Sequence, residues 1–143
     1  MNKVLLFFIS LIIFTSCSQC TTDVESIQVV YDNIDDMTFR SIPPKDFDRY
    51  VENNGDQKTT VITDKCEILN IIDEFDQIMQ NDTMSLGVDT RMRFTIKHKD
   101  KTDRVYMGIT TIMIREKSYW LSNESLKKIL KYVDEDQLKR IGL

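Results

Sequence analysis

From residue 91 to residue 99 the chain alternates without a break. Met92, Phe94, Ile96 and His98 fall on one side, and Arg91, Arg93, Thr95, Lys97 and Lys99 on the other. A period of two is that of a half-buried β-strand. Asp100 to Asp103 reads as a turn, and residues 104–109 as the returning strand with Val105, Met107 and Ile109 inward. Residues 111–115 and 118–121 predict a second hairpin turning at Glu116 and Lys117. Upstream, residues 26–32 put Ile27, Val29 and Tyr31 on one face and are rich in β-branched residues, so they form the first strand. Residues 59–63 form a short one.

Two segments have the helical period instead. Asp64 caps the first, with Glu67 three residues on to complete a capping box. Ile68, Leu69, Ile72, Phe75, Ile78 and Met79 then recur on one stripe, while Asp73, Glu74, Asp76 and Gln77 face away. The second helix is capped by Ser122 or Asn123 and carries Leu126, Ile129, Leu130 and Val133 on its apolar stripe, with Lys127, Lys128 and Lys131 outside. Residues 134–141 predict a short terminal turn of helix. Residues 33–36 and 53–56 read as turns and residues 81–89 as a loop, whereas 45–57 fit either a strand or a short helix through Phe47, Tyr50 and Val51. The order of elements implies an α+β fold. The expected architecture is one twisted antiparallel sheet of about five to six strands, with two main helices packed on one face.

The N-terminus has neither period. Lys3 is followed by an apolar run from Val4 to Phe14 interrupted only by Ser10. That run is about half the roughly 20 residues needed to span a bilayer, which fits a cleaved secretory signal better than a membrane helix. Phe14-Thr15-Ser16-Cys17 resembles the lipobox of bacterial lipoproteins, in which a small residue precedes a cysteine that is diacylated and becomes residue one after cleavage. Phe14 stands where that family usually has an aliphatic residue. Cys20 fits less well, because Gln19 before it is not small; ordinary signal-peptidase cleavage after Ser18 is the other reading. The resemblance implies a signal peptide at 1–16 and a palmitate-type lipid on Cys17. It also implies attachment to a membrane of the cell envelope, the outer membrane with its periplasmic or surface side being the expected address. A polar tether at 17–25 would then join the lipid to a single domain at 26–143.

About 127 residues remain after such cleavage, enough for one domain with its own core. The formal charge is −4, but it is unevenly split: residues 1–90 carry 6 Lys/Arg against 16 Asp/Glu, and residues 91–143 carry 13 against 7. An acidic chain with an extracytoplasmic address argues against nucleic acid as a partner. Cys66 near the helix start reads first as a small buried apolar residue, and a Cys20–Cys66 disulfide, permitted in an oxidising compartment, is the other reading.

Chemistry is sparse. His98 is the single histidine, and it reads as an edge residue between Lys97 and Lys99. No Gly-x-Ser-x-Gly run is present, and Cys66 lacks a nucleophile's context. Asp32, Asp35, Asp36, Asp46 and Asp48 miss the calcium-loop spacing and read as solvated turn residues. No catalytic residue, metal site or cofactor is therefore expected. The surface feature to follow is the outward face of the best strand, Arg91, Arg93, Lys97 and Lys99, extended by Arg104. Such a row attracts anionic headgroups or an acidic partner unless facing carboxylates neutralise it. The expectation is a non-enzymatic lipoprotein whose domain binds a protein or envelope component. The alternative is an inhibitor or immunity-type lipoprotein that neutralises a toxin or hydrolase.

Overall fold

The computed structural model describes residues 20–32, 41–53 and 57–142. The elements are β1 (Val24–Tyr31), α1 (Pro44–Asn53), β2 (Lys58–Ile62), α2 (Lys65–Ile78), β3 (Thr83–Met84), β4 (Met92–His98), β5 (Thr102–Met107), β6 (Thr111–Ile114), β7 (Lys117–Trp120), α3 (Asn123–Val133) and α4 (Glu135–Arg140). The leader, Cys17 and the turn expected at 33–36 lie outside the described residues, as does most of the turn expected at 53–56.

The fold is α+β, built on one open antiparallel sheet in the order β2-β1-β4-β5-β6-β7-β3. Seven strands exceed the expected number. One addition is β3, a two-residue strand within the expected 81–89 loop, where Thr83 pairs with Tyr119 and Met84 with Ser118. Two residues are too few to carry an alternation, and the pairing partner supplies the strand.

Register explains the core. Across β1 and β4, Ile27 faces Ile96, Val29 faces Phe94 and Tyr31 faces Met92. The rows continue through Phe94 opposite Val105 and Met92 opposite Met107, then Val105 opposite Ile114. Each row places apolar next to apolar on one face, and a one-residue slip would expose them all. Helices α2 and α3 cover that face with Ile68, Ile71, Phe75, Leu126, Ile129 and Leu130, all in one continuous core. Phe75 meets Phe94 edge-on at 5.4 Å between centroids. The expected caps form: Asp64 accepts from the Cys66 and Glu67 N–H groups, and Ser122 accepts from the Ser125 N–H.

Several expectations are corrected. Glu74 does not face away; it is buried beside α3, where Lys128 reaches its carboxylate at 3.3 Å. Ile71, absent from the expected stripe, is fully buried. Packing against both the sheet and α3 widens the buried sector of α2 beyond a single stripe. Ile109 is exposed rather than inward, because the chain turns at Gly108, whose N–H donates to the Thr111 carbonyl at 2.8 Å. A Cβ on Gly108 would collide with the Asp89 carbonyl oxygen. The β6–β7 turn is Arg115-Glu116, one residue earlier than expected. Strand β1 begins at Val24, inside the expected tether, since Val24 pairs with His98 of β4, and Lys65 Nζ donates to the Val24 carbonyl at 2.6 Å.

The largest departure is a third layer. Residues 44–53 are helical, with Pro44 at the first position, where its missing N–H costs nothing. Asp46 and Phe47 donate back to the Pro43 carbonyl. This helix lies on the outward face of the sheet, because its Asp48 contacts Arg93, Arg104 and Tyr106, which alternate with the core residues. Phe47 is buried there, apart from the main core, and the Tyr50 hydroxyl donates to Asp32.

Candidate functional site

Helix α1 decides the fate of the basic row. Asp48 receives Arg93 Nη1 at 2.7 Å, Arg104 Nη1 at 3.3 Å and the Tyr106 hydroxyl at 2.9 Å. Arg91 is buried and paired with Asp89 at 2.8 Å. The other Asp89 oxygen accepts the Ile42 N–H, so the pair also ties residues 41–42 to the sheet. Lys97 lies 3.4 Å from Glu25 with both side chains largely in solvent, and Lys99 is exposed at the β4–β5 turn. The five residues therefore do not form one open surface. Asp48 is no solvated turn residue either; it is a half-buried helical carboxylate holding three groups. Tyr106 has its phenol pushed above the usual range, first by burial and then by the bond to the Asp48 carboxylate.

A cavity of about 770 Å³ lies elsewhere, at the end of the sheet where β1 starts. Five consecutive β5 residues, Thr102 to Tyr106, line it. Consecutive residues point to opposite faces of a strand, so a cavity that touches all five runs along the strand's edge. That edge is open because β6 stands opposite only Val105, Tyr106 and Met107. Strand β6 stops at Ile114 because Arg115 and Glu116, with φ of 50° and 65°, reverse the chain in two residues. Such turns favour Asn-Gly, and left-handed φ costs an L-residue about 1–2 kcal/mol. Both turn residues line the cavity, with half-buried Ile72 of α2, half-buried Met79 at that helix's C-cap and Lys45 of α1.

His98 sits at the mouth. Its Nε2 lies 3.2 Å from Asp103 and its Nδ1 3.5 Å from Asp23, the latter nitrogen buried and without a hydrogen bond. Asp103 also accepts from Lys101 Nζ at 2.8 Å. Its pKa is depressed, first by that bond, with the charges of Lys101 and His98 adding and burial opposing. Both ring nitrogens thus face carboxylates of the protein itself. The arrangement joins the leading segment to the β4–β5 hairpin. Among the described residues, no group of three or more His, Cys, Asp or Glu converges as a metal site.

Cys20 and Cys66 are joined by a disulfide, with Cα atoms 5.1 Å apart. The bond ties the leading segment to the first turn of α2, where Lys65 already holds the start of β1. Asp48 was read in the sequence only as a solvated turn residue, and Asp23, Asp103, Lys45 and the β5 edge were not singled out as parts of a site. The one signal for the edge was the short spacing of the second hairpin. No protein-family model matches the chain, and no curated protein or solved structure is significantly similar to it.

Proposed function

We propose that the protein is an exported, lipid-anchored binding module rather than an enzyme. The leader resembles that of bacterial lipoproteins, with Cys17 as the acylated residue. The observation that carries the reading is the Cys20–Cys66 bond. Disulfides persist in oxidising compartments and are rare in the cytosol, so the bond agrees with export.

The bond also changes what an anchor would do. Residues 17–25 as a free tether would let the domain move on a leash of about 30 Å. With Cys20 bonded to α2, only Ser18 and Gln19 lie between Cys17 and the folded domain, a reach of about 10 Å when extended. The β1 end of the sheet, with its cavity, then faces the bilayer or a partner lying close to it. Binding is favoured over catalysis because His98, the imidazole at the cavity, lies between the carboxylates of Asp23 and Asp103.

Mass spectrometry of the N-terminal peptide is the test. The expected result is a diacylglyceryl-type adduct on Cys17, membrane fractionation, and release to the soluble fraction on Cys17→Ala. An intact leader, or an unmodified Cys17 in a soluble protein, would overturn the anchor.

A further inference from the structure

The open edge of β5 has the features of a strand-acceptor site. Across β5 and β6 the Gly108 N–H bonds the Thr111 carbonyl. The two-residue period of antiparallel pairing then turns the main chain of Tyr106, Arg104 and Thr102 to the same side. Strand β6 reaches Tyr106 through Met113 but stands opposite neither Arg104 nor Thr102. The N–H and C=O groups of those two residues are therefore directed away from β4, those of Arg104 toward the turn residue Arg115 that follows Ile114 in the register and those of Thr102 along the cavity.

The side chains around this edge alternate in character. On the α2 side, Val105 and half-buried Ile72 and Met79 offer apolar surface, rimmed by Asp23, Asp76 and Asp103. On the α1 side stand Lys45 and Arg104, with Arg115 at the end of β6. Among the described residues Lys45 and Arg115 have no acidic partner. An extended segment lying along β5 would meet these two environments at alternate residues.

We propose that β5 receives an extended segment of a partner protein as an added strand, with apolar side chains directed under α2 and acidic side chains directed at Lys45 and Arg104. A slip of one residue would turn the acidic side chains toward Asp23, Asp76 and Asp103, so the same carboxylates set the register by repulsion. This deepens the binding-module reading by naming what is bound, and it does not depend on the lipid.

The test uses the full chain in phosphatidylcholine nanodiscs and the labelled peptide Thr-Glu-Ile-Glu-Ile-Glu-Thr, with blocked ends, followed by fluorescence anisotropy. Three altered peptides accompany it. One has lysine for each glutamate, and two are N-methylated at alternate residues, one for each edge of the strand. Strand addition predicts saturable binding, abolished by one N-methyl set and retained by the other. It also predicts about tenfold weaker binding of the lysine peptide and slowed hydrogen exchange over residues 102–104. Lys45→Glu, an exposed substitution outside the core, should weaken the glutamate peptide and strengthen the lysine peptide. Absence of binding overturns the proposal. So does equal tolerance of both N-methyl sets, or displacement of the peptide by lauric acid without any exchange protection of β5. An unmodified Cys17 together with intact peptide binding would remove the anchor and leave the strand site standing.

Discussion

The two faces of the sheet are built from the same strands and closed by different physics. The face under α2 and α3 is apolar row against apolar row, with Ile27, Phe94 and Met107 fully buried. The face under α1 is a charged row closed by one carboxylate, Asp48, which binds Arg93, Arg104 and Tyr106. Burial of hydrocarbon tolerates small shifts because it is non-directional. A shared carboxylate does not, because each donor needs its own lone pair and geometry. The first face is therefore expected to carry the stability, and the second to fix where α1 sits.

Breaking the apolar face should have the largest effect. Phe94→Ala removes a fully buried ring that packs edge-on against Phe75, and should cost about 4 kcal/mol in urea unfolding. A loss under 1 kcal/mol would mean that the two-helix face is not the main core. Reducing the Cys20–Cys66 bond, which closes 46 residues of sequence separation, should cost about 3 kcal/mol. It should also free the leading segment to rapid hydrogen exchange. Asp48→Ala leaves Arg93 and Tyr106 without their acceptor on the other face, and about 2 kcal/mol is expected. Limited proteolysis of that variant should open residues 44–53 before any part of α2 or α3; cleavage in the reverse order would refute the division of labour.

Titration sharpens the same contrast with smaller effects. The raised Tyr106 pKa means that the folded state keeps its proton above the ordinary value of 10.0. Its contribution is complete below pH 10.0 and is lost as pH rises through the folded pKa, so stability should fall in alkali. Absorbance at alkaline pH should show one tyrosine titrating late, and Tyr106→Phe should abolish that late step. Asp103 has the opposite sign. Its pKa lies below 3.8, so its contribution is present above that value and is lost as pH falls through the folded pKa. Asp103→Asn should flatten acid destabilisation without altering the alkaline limb. Lys99→Ala, at the exposed turn, should change stability by less than about 0.5 kcal/mol.

Much of the apolar face was legible in the sequence. The alternation at 91–99, the caps at Asp64 and Ser122 and the stripe through Leu126 and Val133 each express a local period. Errors arose where a second neighbour altered the rule. Glu74 reads as an outward residue until α3 supplies Lys128. Residues 45–53 have too few apolar positions to declare a helix until Phe47 finds the outer side of the sheet. Arg93 and Arg104 read as an open basic row because their acceptor lies far away, Asp48 being 45 and 56 residues distant. The β5 edge was invisible for a related reason. It exists because β6 is shorter than β5, and length differences between paired strands are not written in either strand alone.

What the sequence determined by itself is therefore the set of elements whose burial follows from periodicity, together with the leader's resemblance to a lipoprotein signal. Tertiary structure alone decided three things: the helix that covers the basic row, the joining of Cys20 to Cys66, and the strand edge left open at Thr102 to Arg104. Periodicity is a property of neighbours along the chain, so it survives in one dimension. Pairing of charges, thiols and strand edges depends on distances between residues remote in sequence, and those are set only when the sheet closes its register.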